Sequence, residues 1–419
     1  MFLNLSEEFK KHGWNVKFLS TSSNECYKID ENIDILISSW KEYNLTRIQF
    51  TNGLLIKIAL IMGDVEKWTS NKAFDKYDII LVSNQKTADY IQKQTGKNVS
   101  VYPVATNNPH VENNSERFNK LKEILTEYIK KPKIAIKIPV HKWNQINYWG
   151  DYHLAKGLES EFIKKGYAIK IQILPEWDDG LDSMVDNVIV LRGLSEYVPK
   201  VQHFNIMWNI SHPDLINIKE FESYDHIFIA SQLWSEKISN LVNTPVTTML
   251  QCTDDKRFYP DYDEKYKTNL LFVGNSRGVY RKILKDLIPT KYNLSVYGVG
   301  WENIIDEKYV KGDHIENKEL RKAYSSCDIL LNDHWDDMRE KGFISNRLFD
   351  AIACGSIIIS DDVIGLKEVF QDKIITYKTS DELKDIIKKI LEEKINYDVS
   401  IIKGHTFKDR VNQIIDIIP

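Results

Sequence analysis

Anion chemistry is written most densely into residues 332–362, NDHWDDMREKGFISNRLFDAIACGSIIISDD. A polar loop there leads into a helix expected from about Ser345 to Cys354, then Gly355 and an apolar strand. Ser345 and Asn346 are of the types that cap a helix start, and the free N–H groups of such a start attract an anion. Arg347, in the first turn, opposes the helix dipole, which a bound diphosphate would offset. Asp350, about one turn deeper, is placed to accept from a pair of sugar hydroxyls. The same residues also describe an ordinary capped helix, so the block alone leaves two readings open.

A second block, FVGNSRGVYRK at 272–282, follows an apolar strand. Gly274 and Gly278 let backbone approach a ligand closely, and Arg277, Arg281 and Lys282 bring three cations to one helix start. Arginine can grip a diphosphate in bidentate fashion, which suits the neighbouring Asn275 turn to phosphate binding. Next comes VYGVGWE at 296–302, a strand ending at Tyr297 and Gly298 in a glycine turn. Earlier in the chain, Trp149-Gly150-Asp151-Tyr152-His153 opens a helix with its body at Leu154–Lys165. Gly150 would let N–H groups face a cleft. Asp151 is either an N-cap or a cleft carboxylate. His212 stands just past a strand in WNISHPD at 208–214, and Arg192 and Gly193 follow the strand Val188–Leu191. Both positions fall at carboxyl edges, where α/β sheets bind ligands.

The elements around these residues alternate short β-branched runs with amphipathic helices, which reads as α/β with parallel sheets. Strands are expected at residues 79–82, 134–136, 169–171, 188–191, 227–229, 270–273 and 357–359. Leu383, Ile386, Ile387, Ile390 and Leu391 form one apolar helical stripe behind a Thr379…Glu382 capping box. A length of 419 residues calls for two or three domains. Breaks are expected in the charged stretch at 113–133 and in the polar stretch at 259–267.

Hydrophobic content of 42% and charged content of 28% are ordinary for a globular chain, and no uninterrupted apolar run of about 18 residues suggests a membrane span. The net charge of −4 gives no support for nucleic-acid binding, although Lys-rich patches suit peripheral contact with anionic lipid. Cys26, Cys252, Cys327 and Cys354 lack metal or disulfide spacing, and the start lacks an apolar signal region, so a reducing cytoplasm is expected. No metal is expected either. Asp333 and Asp336-Asp337 are wrongly spaced for a D-x-D ligand pair, and Asp361-Asp362 are merely adjacent.

An internal repeat alters the picture. LSEEFKKHGWNVKF from Leu5 aligns with LESEFIKKGYAIKI from Leu158, and YDIILVSNQ from Tyr77 with YDHIFIASQ from Tyr224. The first copy lacks the strand that precedes the helix in the second, and Val65 stands where the second copy has His212. It is expected to be catalytically silent, and to be a route to self-association through its incomplete sheet.

The string GFISNR-x-FDA-x-ACG-x-x-x-ISDD at 342–362, with FVGN-x-R at 272–277, YG-x-GWE at 297–302 and HT-x-x-x-RV at 405–411, resembles the GT-B glycosyltransferases. The likeness is to their spore-maturation-protein-like, group 1 (family 4-like) branch. It covers roughly Lys133 to the end. The resemblance implies two Rossmann-like domains facing a cleft, at 128–262 (acceptor side) and 263–398 (donor side), with the partial repeat at 1–127 and a helix at 399–419 crossing back. It implies transfer of a hexose or deoxyhexose from a nucleotide-sugar, metal-free and with retention of configuration, to a glycan, lipid-linked or protein acceptor. An inverting route with Asp151 as general base is the alternative.

By the same resemblance Asp350 matches the second acid of the E-x7-E motif, which binds ribose. The first acid would fall on Gly342, a departure that leaves backbone around Gly342, Phe343 and Ile344 to meet the transferred sugar. His212 would reach the donor sugar, Tyr324 and Asn332 would border the base pocket, and Trp149, Gly150, His153 and Arg192 would lie on the acceptor side. A nucleotide-sugar epimerase or hydrolase on the same fold, and a non-catalytic glycan-binding scaffold, are the readings from other classes.

Overall fold

The structure is a computed structural model that describes all residues except 1, 17–26, 30–34, 39–47, 51–55, 62–73, 75–76, 96, 98, 103–113, 179–184 and 394–403. Every described strand pairing is parallel. The chain is therefore α/β with parallel sheets, as its patterning requires. Expected strands recur, 79–82 unchanged and the others with ends shifted by at most two residues, and the run at 357–359 pairs as Ile358–Asp361. Among the described residues no helix is long and apolar enough to cross a membrane.

The strands form a two-stranded ladder, a sheet of four and two sheets of six. The four-stranded sheet runs Ile35–Ser38, Ile56–Ile61, Ile79–Val82, Val99–Val101. One sheet of six runs Val246–Thr248, His226–Ile229, Phe204–Asn209, Asn187–Arg192, Lys133–Ile138, Ala168–Ile173. The other runs Val310–Gly312, Leu294–Tyr297, Thr268–Val273, Cys327–Asn332, Ile358–Asp361, Ile374–Tyr377.

Two compact units divide the chain, Met1–Trp143 with Glu159–Ile189, and Asn144–Leu158 with Val190–Pro419. In the first, side chains alternate across the four-stranded sheet with period two. Ile58, Leu60, Ile79 and Leu81 meet Phe9 and the Asn114–Lys130 helix through Phe118, Leu121 and Leu125. Ala59, Ile61, Ile80 and Val82 meet Ala88 and Ile91 of Gln85–Thr95. The repeat has a physical signature. Asp78 accepts the Lys57 N–H at 2.8 Å, and Asp225 accepts the Asn205 N–H at 2.7 Å, each tying a strand start to its neighbour. Val65 lies outside the described residues.

In the second unit the sheet that begins at Thr268–Val273 has apolar layers on both faces. Leu271, Leu330 and Ile358 pack with Leu348, Phe349 and Ile352 on one side. Leu270, Phe272, Ile329, Leu331 and Ile359 pack with Ile283, Leu284, Leu383 and Ile387 on the other. Strand order reverses beside Thr268–Val273, which has Leu294–Tyr297 on one flank and Cys327–Asn332 on the other. Chains leaving such strands diverge and open a crevice at their carboxyl ends.

The expected cap at Thr379 forms with a difference: Thr379 Oγ1 accepts the Glu382 N–H at 3.2 Å, but Glu382 reaches Lys378 N, one residue before the box position. Helix Phe407–Ile415 docks through Arg410, which donates to the carbonyls of Leu250 (2.6 Å) and Gln251 (3.1 Å). Phe407 fills the space that a side chain at Gly157 would need.

Candidate functional site

Every candidate site residue belongs to the second unit. Two glycine turns at the switch point are stitched together. Asn275 Oδ1 accepts the Val299 N–H at 3.0 Å, Trp301 Nε1 donates to the Gly274 carbonyl at 3.0 Å, and Ser276 Oγ donates to the Gly300 carbonyl. A Cβ at Gly298, where φ is +143°, would stand 2.2 Å from the Gly274 oxygen, so only glycine closes this contact. Gly274 in turn leaves room for Arg347, whose Nη2 would lie 3.0 Å from a Cβ there.

Four cations were expected to meet the diphosphate, and the structure sorts them. Arg281 is buried against Asp333 and spends Nη2 also on the Asp333 carbonyl at 2.9 Å. Lys282 pairs with Asp286 and lies over the Tyr377 ring at 5.0 Å, so its charge is answered within its own helix. Arg277 and Arg347 differ: neither forms a salt bridge with a described carboxylate. Arg347 Nη1 donates to Asn332 Oδ1 at 2.6 Å, and Asn332 is itself held by Ser360. Burial holds the Arg347 guanidinium below its usual range. Trp335 faces both Arg277 (5.4 Å) and Arg281 (4.3 Å). No pattern in the primary structure singles Trp335 out. Tyr324 packs against Phe258 in the core, and Tyr297 is half-buried at its strand end.

The helix start is built otherwise than expected. Ser345 is the N-cap of Asn346–Ala353, but its side chain caps nothing. Its N–H instead donates to His334 Nε2 at 3.0 Å. Asn346 Nδ2 donates to Asp350 Oδ2 at 2.9 Å, so it braces a carboxylate rather than the backbone. Asp350 is buried with its other oxygen on Thr253 Oγ1 at 2.7 Å, and burial pushes its carboxyl up to about 8. Both oxygens that a sugar hydroxyl pair would use are therefore held by protein donors in this state.

At Gly342, with φ +71°, a Cβ would meet Ser231 Oγ at 3.0 Å and the Ile364 carbonyl at 3.1 Å. This explains why no acid stands there. The backbone donors expected to replace it are largely spent, Gly342 N on Arg339 O and Phe343 N on Met338 O, because the loop closes a turn on the preceding helix. Phe343 and Ile344 side chains are core. The N–H groups of Ile344, Asn346 and Arg347 remain without a protein acceptor among the described residues.

On the facing side, His212 has left-handed backbone (φ 51°, ψ 51°), and so does Arg277 (φ 51°). Such conformations cost about 1–3 kcal/mol and persist where surroundings impose them. Arg277 Nη1 lies 3.3 Å from His212 Nε2, and Ser211 Oγ 2.8 Å from Nδ1. A guanidinium can only donate, so Nε2 accepts and Nδ1 carries the proton. Burial and Arg277 lower the imidazole's affinity for a second proton, with Asp337 opposing them. Asp337, half-buried at the start of helix Asp336–Glu340, thus belongs to this site and was read in the sequence only as a failed metal ligand.

Asp151 is half-buried in the first turn of Gly150–Lys164, and burial pushes it up to about 6, with Arg277 opposing. A Cβ at Gly193 would lie 3.0 Å from Ser211 Oγ and 3.7 Å from Asp151 Oδ1, so this glycine brings the two groups near each other.

The Arg192 guanidinium, expected on the acceptor side, is engaged inside the protein. It is buried in a bidentate pair with Glu220 (2.5 and 3.0 Å) and also donates to the carbonyls of Gly193 and Leu215. A buried guanidinium needs such compensation, and its work is to brace the loops around Gly193 and His212. His153 Nε2 lies 3.1 Å from the Asn147 carbonyl, within its own entry loop, beside half-buried Trp149. A side chain at Gly150 would meet nothing within 4 Å, so space does not demand glycine there. Among the described residues no group of three or more His, Cys, Asp or Glu could hold a metal ion. Asp333 and Asp361 have arginine and histidine partners instead.

No curated protein matches the chain. Among solved structures, HepE of Anabaena in complex with UDP and glucose aligns at 11% identity, covering 87% of this chain and 95% of its own, with TM-score 0.37. An alpha-glucosyltransferase in complex with UDP-glucose and DNA containing an abasic site aligns at 12% identity over 67% and 93% of the two chains, TM-score 0.43. A glycosyltransferase from Rickettsia africae aligns at 11% over 86% and 97%, TM-score 0.40. Residues 277–416, which include the Arg277 turn and the Arg347 helix, match the family model described as glycosyl transferase-like.

Proposed function

We propose that this protein is a glycosyltransferase of the GT-B type that moves a sugar from a nucleotide-sugar to a glycan, lipid-linked or protein acceptor. One observation carries the reading. Arg277, just past the strand Thr268–Val273, and Arg347, in the first turn of Asn346–Ala353, form no close salt bridge with a described carboxylate, and helix-start N–H groups beside Arg347 lack acceptors. A leaving diphosphate would supply the missing negative charge, and preorganised donors in a water-poor site stabilise charge as it develops. The arginines take the part that a divalent cation plays elsewhere, so no metal is required.

In the reaction the bond between the anomeric carbon and the diphosphate oxygen breaks, and a bond to the acceptor oxygen forms. In the retaining route the acceptor proton passes to the leaving diphosphate, and neutral His212 orients the donor sugar. The inverting route is favoured by one observation: Asp151, raised to about 6, is a base poised near neutral pH. There the acceptor proton passes to the Asp151 carboxylate.

Calorimetry with UDP, GDP and dTDP tests the reading, followed by a donor screen for nucleotide release. Failure of all three to bind would leave a non-catalytic scaffold. Turnover of nucleotide-sugar without any acceptor would favour an epimerase or hydrolase.

A further inference from the structure

We infer that His334 is a positioning residue for the diphosphate site, its neutral imidazole fixing where the Asn346–Ala353 helix begins and hence where Arg347 stands. The inference rests on the reading above that this helix start meets a nucleoside diphosphate. His334 is buried at the carboxyl end of Cys327–Asn332, and each ring nitrogen has one partner. Nδ1 lies 2.7 Å from Asp361 Oδ1, and Nε2 lies 3.0 Å from the Ser345 backbone nitrogen. Asp361 Oδ2 also accepts the His334 backbone N–H at 3.2 Å, so one carboxylate holds both ends of the residue and the ring cannot turn.

The partners determine the proton's place. A backbone N–H only donates and a carboxylate only accepts, so Nδ1 carries the hydrogen and Nε2 offers the lone pair. Ser345 is the residue at which the chain turns into the helix, and no side chain caps that turn. Its N–H is fixed by an imidazole from across the sheet edge instead. The residues on either side of His334 also hold the site in place. Asp333 holds Arg281, and Trp335 faces Arg281 and Arg277. Residues 333–335 thus form one bracket that sets two cations and the helix start. A second-sphere carboxylate–imidazole pair that fixes a donor's orientation is a recurrent device of precise sites.

The experiment titrates UDP, GDP and dTDP into the full chain and the variants H334A, H334Q, D361N and R347M. H334A should weaken nucleotide binding by about tenfold or more, the scale of one lost hydrogen bond. H334Q, whose Oε1 can accept the Ser345 N–H, should bind within about threefold of the native chain. D361N leaves one acceptor oxygen for two donors, Nδ1–H and the His334 backbone N–H, so either amide orientation breaks one hold on the residue, and its binding should fall between that of H334Q and that of H334A. A role in folding alone would not separate H334Q from D361N in affinity. Native binding by H334A together with loss in R347M overturns the relay and leaves the site standing. Native binding by R347M as well overturns the site itself. Should H334A fail to fold, long-range ¹H–¹⁵N spectra of the native protein decide, since an Nε2-protonated His334 is incompatible with the relay.

Discussion

Replacing Arg347 with methionine should weaken nucleotide binding without lowering the stability of the unliganded chain. Arg347 donates to Asn332 at 2.6 Å, meets the Tyr324 hydroxyl, lies 5.6 Å from the centre of the Phe272 ring, and makes no close salt bridge with a described carboxylate. Losing those contacts costs about 1.5–3 kcal/mol for a charged hydrogen bond and about 0.5–2 kcal/mol for the ring contact. Against this stands the penalty for burying an ion, several kcal/mol when its charge is not answered. Methionine fills the path of the stem without that penalty. The unliganded variant should therefore be as stable as the native chain, or more stable by up to about 2 kcal/mol. Binding loses the charged contact to the diphosphate, about 1.5–3 kcal/mol, or roughly ten- to 150-fold in Kd. Calorimetry gives the Kd, and urea denaturation without ligand gives the stability. A variant that binds normally but unfolds more easily would show that Arg347 is a structural residue and would refute its place in the site.

Asp151→Asn should lower kcat by about 10²–10⁴ and abolish an acidic limb near pH 6 in the kcat/KM profile, if the carboxylate is the base; an unchanged limb excludes it. Asp350, raised from 3.8 to about 8, binds its proton more tightly in the folded chain than in the unfolded one. Its contribution to stability is full below about pH 4 and is lost as pH rises to about 8, so Asp350→Asn should flatten that decline in urea titrations at pH 5 and 8. Arg192→Met strands the buried Glu220 and should cost about 3–5 kcal/mol of stability while leaving the acceptor KM of the folded fraction unchanged; a raised KM would return Arg192 to the acceptor side. Activity should survive excess chelator, because arginines answer the diphosphate. Loss in EDTA that Mg²⁺ restores would refute this.

Local chemistry reveals the parallel α/β architecture, the helix at 346–353 and the glycine turns in the sequence, because each depends on residues a few positions apart. The unbroken apolar run Ile79-Ile80-Leu81-Val82 forms a strand with two buried faces, and Gly298 must be glycine wherever its φ is +143°. The repeat was legible for the same reason, since Asp78 and Asp225 each clasp the start of the strand beside their own. Which charges are free was not legible. Arg277, Arg281, Lys282 and Arg347 look alike as bare cations along the chain. Only the fold sets Asp333 beside Arg281, 52 positions away, and Glu220 beside Arg192, 28 positions away, while leaving Arg277 and Arg347 without a close salt bridge to a described carboxylate. The bond from Ser345 to His334, and from there to Asp361, likewise joins groups that the sequence presents as an unused histidine and a stray acid. Charge compensation in a protein interior is a matter of a few ångströms, and sequence separation carries no measure of that distance.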